Sequence, residues 1–428
     1  MEENNHALHF RFIQRHKELF IVILSLAIQT PLAIFLGHYV DDRSFIDAGY
    51  LVSAGLNPYQ PHLITIFSSN PDLIGINPII GYPPPWPLLL GLIYRLSFSI
   101  VPNLFLYNFA IKVPVIASNI GLAYMTKTIM RQLGASERKM QAAWLFLLFN
   151  PFILLTTTAW GEFDTLIAFL CVASLYFLSK GMIGKSAFLV SLSVVLKPIS
   201  LPLLGLPLLF SPTKNWRKIS IYILIAIVVV LSLWFLPFYL EGWILPSSSN
   251  QLSSYFTMAG GMTLFNIVEI IRDTTTLPAS LGFLGYLWIP AVLLGYYIVY
   301  RNPPKTFNEL TQKAVGLMLI FFLTRSWLSE PNMDVVISLA LLALSSKELN
   351  FRNFTFLWVI PLVFMFLNTS FPQLFFLVSP SIITSLSQVD HYIRSWRLIA
   401  RFLVVVVLQV FAWRLVIEML RRKKILNS

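Results

Sequence analysis

Hydrophobic positions along this chain come in long unbroken runs, not in the short periods of a half-buried helix or strand. Phe20–Phe35, Ile219–Pro237 and Leu398–Val410 are the clearest runs. Each reaches or approaches the roughly 20 apolar residues that a helix needs to cross a bilayer. The pattern predicts spans near 18–37, 104–126, 141–159, 163–180, 219–240, 281–301, 314–329, 333–346, 354–370 and 398–418. Two shorter segments, about 186–197 and 199–211, meet at Lys197-Pro198 and read as a broken hairpin. The expected fold is an all-α polytopic membrane bundle of about 12 transmembrane helices.

Polar positions add the topology. Segment 38–103 is rich in Pro, Asn and Ser and poor in basic residues, which predicts a long first outer loop. Residues 86–101 are apolar but short, carry Arg95, and follow Pro83, Pro84 and Pro85. A spanning reading would put the basic cluster from Lys127 to Lys139 outside. An interfacial helix keeps that cluster inside, and is preferred.

Composition confirms the class. With 57% hydrophobic and 12% charged residues, one aqueous core would not hide the apolar surface. The net charge of +12 does not point to nucleic acid, because the basic residues are dispersed between apolar runs. They form four groups: Arg11, Arg15 and Lys17; Arg131, Arg138 and Lys139; Lys214, Arg217 and Lys218; and Arg421 to Lys424. That is the signature of cytoplasmic loops, with both termini inside and the first helix retained. Cys171 is the sole cysteine, so neither a disulfide nor a thiolate metal site forms within one chain. There is no phosphate-binding loop, no dinucleotide fingerprint and no metal-ligand His spacing. No soluble domain is seen to hold a nucleotide-sugar.

Acidic residues gather on the expected outer face. Asp41 and Asp42 follow helix one in His38-Tyr39-Val40-Asp41-Asp42-Arg43, and Asp47 comes next. A hydrated carboxylate at the membrane surface suits a general base acting on a sugar hydroxyl; the pair equally marks the helix exit. Gly81-Tyr82-Pro83-Pro84-Pro85-Trp86-Pro87 makes a rigid elbow. Asn150-Pro151 precedes Trp160-Gly161-Glu162-Phe163-Asp164, where two carboxylates sit close to hydrocarbon. Lys197 in its apolar hairpin needs an anion, either a lipid phosphate or a carboxylate such as Asp164. Ser329-Glu330-Pro331-Asn332 with Asp334 forms an outer turn able to hydrogen-bond a sugar. Arg394 and Arg397 also fall outside.

In their order these motifs resemble the GT-C superfamily of membrane glycosyltransferases. The likeness is nearest to the catalytic subunit of the GPI mannosyltransferase that adds the first mannose, and to related bacterial and archaeal mannosyltransferases. It rests on Tyr39-Val40-Asp41, Phe45-Ile46-Asp47-Ala48-Gly49, Gly55-Leu56-Asn57-Pro58-Tyr59, Tyr82-Pro83-Pro84, Asn150-Pro151, Gly161-Glu162-Phe163-Asp164 and Lys197, over roughly residues 15–215. The first Asp of the family's Asp-x-Asp element is Tyr39 here, and Asp42 is additional. Both Asp41 and Asp42 therefore remain open as the base, and a divalent cation remains open as a cofactor.

The resemblance implies inverting transfer of a sugar, mannose by family, from a polyprenyl- or dolichyl-phosphate donor to a glycolipid or glycan on the outer face. Asp41 or Asp42 would be catalytic. Asp47, Tyr59, Tyr82, Glu162, Asp164, Lys197, Glu330, Arg394 and Arg397 would bind substrate, with Lys197 and the two arginines toward the lipid phosphate. Membrane lipids would be further partners. The catalytic module would be 1–215, and 216–428 would complete the lipid and acceptor site. Two other readings compete: a transporter or flippase of lipid-linked sugars, and a non-catalytic membrane subunit.

Overall fold

A computed structural model of the protein describes residues 2–213, 215–243, 257–344, 351–368, 370–379 and 381–421. Lys214 and Arg422–Lys424, and the side chains of Arg11 and Arg15, lie outside the described residues. The chain is built almost wholly of helices. Those used below are α1 (Glu2–Phe35), α2 (Tyr39–Ser53), α3 (Pro85–Leu96), α4 (Leu104–Gln132), α5 (Glu137–Phe149), α6 (Asp164–Ser179) and α7 (Ile183–Leu196). They continue as α8 (Trp216–Leu240), α9 (Trp288–Arg301), α10 (Phe307–Thr324), α11 (Met333–Leu344), α12 (Phe351–Leu367) and α13 (Ile382–Leu420).

Among the described residues, six helices are long and apolar enough to cross a membrane, and shorter apolar helices include Asp164–Ser179, Ile183–Leu196, Pro198–Leu209 and Phe351–Leu367. Their outward faces are apolar as well. Phe20, Leu224, Leu294 and Val410 are more than half exposed, as lipid-facing residues are. This is a membrane protein.

Segment 38–103 is folded. It holds α2, a two-stranded antiparallel ribbon pairing Leu63–Ile64 with Gly75–Ile76, and α3. At 12 residues, α3 is about 18 Å long and falls short of a hydrocarbon core of roughly 30 Å. It starts at Pro85, the first helical position that proline tolerates best. Helices α2 and α3 pack along each other, with Phe45 5.6 Å from Trp86 and Trp86 stacked 3.9 Å from Phe163. That aromatic stack ties the segment to the start of α6.

Two helix interruptions matter most. At Asn150 the chain leaves α5, and the Asn side chain caps Phe152 N and Ile153 N with Pro151 in the first turn. A wide π turn then runs over Leu154–Ala159, a form often found at functional sites. At Lys197, proline in the next position keeps the backbone extended (φ −152°, ψ 113°), and short turns follow over Pro198–Leu209. The break expected at Lys197-Pro198 is thus present.

One boundary differs widely. The last helix was expected from 398, but α13 begins at Ile382. Its first part is too polar for a hydropathy window. Asp390 bridges to Arg394 and Arg397 along the helix surface and supports the extra turns.

Candidate active site

The interruption after the π turn and the one at Lys197 face each other. Lys197 Nζ lies 2.8 Å from Glu162 Oε2 and 2.6 Å from Asp164 Oδ2. Asp164 opens α6, where the helix dipole favours a carboxylate, and its second oxygen accepts from Asn332 Nδ2 at 3.0 Å. Glu162 accepts from the Tyr82 hydroxyl at 2.7 Å, and the Tyr82 carbonyl accepts from the Tyr59 hydroxyl at 2.8 Å. Asp334 accepts from Thr156 of the π turn at 2.9 Å. Lys197 also lies 5.2 Å from the ring centres of Tyr82 and Phe163. Side chains from segment 38–103, from the middle of the chain and from 330–334 thus meet in one buried network.

Asp41 sits at the open edge of this network. Its Oδ2 accepts from Trp160 Nε1 at 2.8 Å and lies 3.1 Å from His38 Nδ1. The His38 ring stacks on Trp160 at 3.9 Å. The Asp41 side chain keeps 27% exposure. Burial alone would push its carboxyl up, but the hydrogen bonds and charge of His38 and the Trp160 bond outweigh burial and hold it below its ordinary range. Asp41 is therefore ionised at neutral pH. Its charge is felt by Glu162, which burial raises to about 7 despite Lys197, with Asp41 and Asp164 adding to the rise.

Asp42 points the other way. It is fully buried, with Lys112 Nζ 3.3 Å from Oδ2. Lys112 also donates to the carbonyls of Leu36 and Ala159. This pair therefore ties the end of α1 to the end of the π turn. Gly161 takes φ +99°, and a Cβ there would stand 3.0 Å from both Asp42 Oδ1 and Lys112 Cε; glycine is required. Burial raises the Asp42 carboxyl to about 6 even against Lys112.

The remaining predicted residues are spread around this centre. Asp47 is buried on α2 with Arg43 Nε 3.7 Å away, and burial raises it to about 7. Glu330 accepts from Asn368 at 2.8 Å and from Ser370 at 3.3 Å. Arg394 and Arg397 belong to a second charged cluster on α13. Arg397 pairs with Asp390 at 2.6 Å, Arg394 with Asp273 at 2.6 Å, and Glu269 joins Arg394 to Arg401. Among the described residues, no group of three His, Cys, Asp or Glu side chains is placed to hold a metal ion.

Three residues escaped the sequence reading, two of them in the site. Lys112 had a usable signal, a lysine inside an apolar run. His38 had none, because its role depends on Trp160, 122 positions away along the chain. Arg325 is half-buried beyond α10, 4.9 Å over the Phe321 ring, with no carboxylate partner among the described residues.

Residues 21–211 match the model of the alpha-(1->6)-mannopyranosyltransferase family, N-terminal domain. The match, over rather less than half of the chain, supports a GT-C-like mannosyltransferase. The match covers the stretch that carries Asp41, Tyr82, Glu162, Asp164 and Lys197. It lends nothing to the narrower likeness with the GPI enzyme. No curated protein matches the chain.

The buried carboxyls of this chain set a stability profile. Asp42, Asp47 and Glu162 are raised in the fold, and Glu330 is raised by burial as well. The folded chain then holds protons that the unfolded chain releases above about pH 4. The stabilisation from Asp42, Asp47 and Glu162 is complete below that point and is lost as pH rises through about 6 to 7. Asp41 has the opposite sign but acts only in the more acid range. The unfolding midpoint in detergent is expected to be about 2–5 °C higher near pH 5.5 than near pH 8. A fluorimetric melt series checks this, and a midpoint that climbs with pH would contradict the burial of these groups.

Proposed function

We propose that the enzyme moves a mannosyl unit from a polyprenyl- or dolichyl-phosphate donor to a hydroxyl of a glycolipid or glycan on the outer face of the membrane, with inversion at the anomeric carbon. The observation that carries this reading is Asp41, an ionised carboxylate at the rim of a buried polar network. Its free oxygen takes the proton of the acceptor hydroxyl. The acceptor oxygen bonds to the anomeric carbon as the bond from that carbon to the lipid phosphate breaks, and the phosphate leaves with the electron pair. Asp42 is the pivot behind the base.

Glu162, Asp164 and Glu330 shape the sugar pocket, with Tyr82, Tyr59 and Asn332 fixing two of them directly or through one another. Lys197 gives the pocket its positive centre. About twelve spans with both termini cytoplasmic and segment 38–103 outside agree with the basic flanks. Residues 1–215 form the catalytic module, and the Asp164–Asn332 and Thr156–Asp334 contacts support the reading that 216–428 complete its site.

The test uses enzyme in nanodiscs with radiolabelled polyprenyl-phosphate-mannose and a mannoside acceptor. The expected result is labelled product of inverted configuration, an α-(1→6) linkage being the first to look for. Label that crosses the bilayer without being transferred would favour a transporter. Transfer from a nucleotide-sugar alone would overturn the donor assignment.

A further inference from the structure

The two oxygens of Asp41 are unlike. Oδ2 is held by Trp160 Nε1 at 2.8 Å and faces His38 Nδ1 at 3.1 Å. Oδ1 has no hydrogen bond among the described residues, and it is absent from the buried atoms that lack a partner. The exposed part of the carboxylate therefore includes Oδ1. His38 itself is locked. Its ring stacks on Trp160 at 3.9 Å and 15°, its backbone N–H donates to the Trp160 carbonyl at 3.2 Å, and it is 7% exposed.

We infer that His38 is a positioning residue: with Trp160 it pins Oδ2 of Asp41, so that Oδ1 alone is presented to the acceptor hydroxyl. The inference rests on the reading of Asp41 as the base. The geometry is that of a carboxylate oxygen bonded by the indole N–H of Trp160 at the end of the π turn and flanked at 3.1 Å, in an ion-pair contact, by the ring of His38 just before α2. A free carboxylate turns about its Cβ–Cγ bond and presents either oxygen. Fixing one of them removes that freedom before the acceptor binds. Hydrogen bonds to the ionised form also keep the carboxylate charged against its burial. The charged groups facing His38 are Asp41 and Asp42 from α2 and Glu330 from the 330–332 turn. The packed segment Ser370–Ser379 brings no titratable side chain among its described residues.

Two substitutions separate donation from stacking. His38→Phe keeps a ring on Trp160 and deletes the donor. His38→Asn deletes the ring and keeps an N–H near the position of Nδ1. Transfer from polyprenyl-phosphate-mannose is measured against pH for both, with Asp41→Asn as reference and with melting midpoints to confirm folding.

The expected result is that His38→Phe loses about tenfold or more in kcat. The acid limb of its kcat/KM profile should move up by about one pH unit, because the carboxyl has lost the neighbouring imidazole that favours its charged form. His38→Asn should stay within a few-fold of wild type, with the limb in place. A His38→Phe enzyme with wild-type rate and an unmoved acid limb, beside an inactive Asp41→Asn, overturns the inference and leaves the base standing. Equal losses in both His38 variants with the limb unmoved reduce His38 to packing and overturn it too. An active Asp41→Asn enzyme removes the base reading and the inference together.

Discussion

Asp41→Asn is expected to lower mannosyl transfer by about 10²–10⁴-fold while leaving the amount of folded enzyme unchanged. The amide keeps the shape of the carboxylate, and its carbonyl oxygen still accepts from Trp160 beside the His38 ring. What it loses is the capacity to take a proton. Asp42→Asn should behave in the opposite way. It leaves Lys112 buried without its carboxylate, and uncompensated burial of a charge costs about 3–5 kcal/mol. The yield and melting midpoint should therefore fall, with transfer per folded molecule much less affected. Both values come from one preparation, a melt followed by an assay normalised to folded protein. A stable, inactive Asp42→Asn beside an active Asp41→Asn would exchange the two assignments.

Lys197→Ala should be the most damaging single change to the fold. It strips two buried carboxylates, Glu162 and Asp164, of the ammonium that sits within 2.8 Å of each, with a cost again of about 3–5 kcal/mol. Much of that cost is the stranded negative charge and not the value of the pair itself. A triple replacement by neutral groups, Glu162→Gln, Asp164→Asn and Lys197→Met, should accordingly recover most of the melting midpoint without restoring transfer. If Lys197→Ala melts like wild type, the network is not the structural centre described above.

The sequence was informative about what hydropathy and short spacing can carry. The long apolar runs placed most helices within a few residues, because a lipid-facing helix needs no partner to define its apolar length. The two interruptions were readable because Asn-Pro and Lys-Pro act on the local backbone. That Glu162, Asp164 and Lys197 share one site was half-readable. A lysine in an apolar hairpin calls for an anion, but only the fold says that two carboxylates supply it. The different fates of Asp41 and Asp42 were not readable. Neighbours on a helix point about 100° apart, and which one faces Lys112 depends on α4 packing behind α2. The start of α13 was missed for a similar reason. Its polar turns are held by Asp390 and by contacts with Glu269 and Asp273, which lie more than 100 residues earlier.

That last helix has a mechanical side. Its 39 residues make a rod of about 58 Å, nearly twice the roughly 30 Å of hydrocarbon it passes. Its C-terminal half is gripped along α10 and α12, and the turns that carry Arg394, Arg397 and Arg401 are fastened to Glu269, Asp273 and Asp390. A rod fastened at both ends is a strut, and it fixes the distance between that charged cluster and the end of α10.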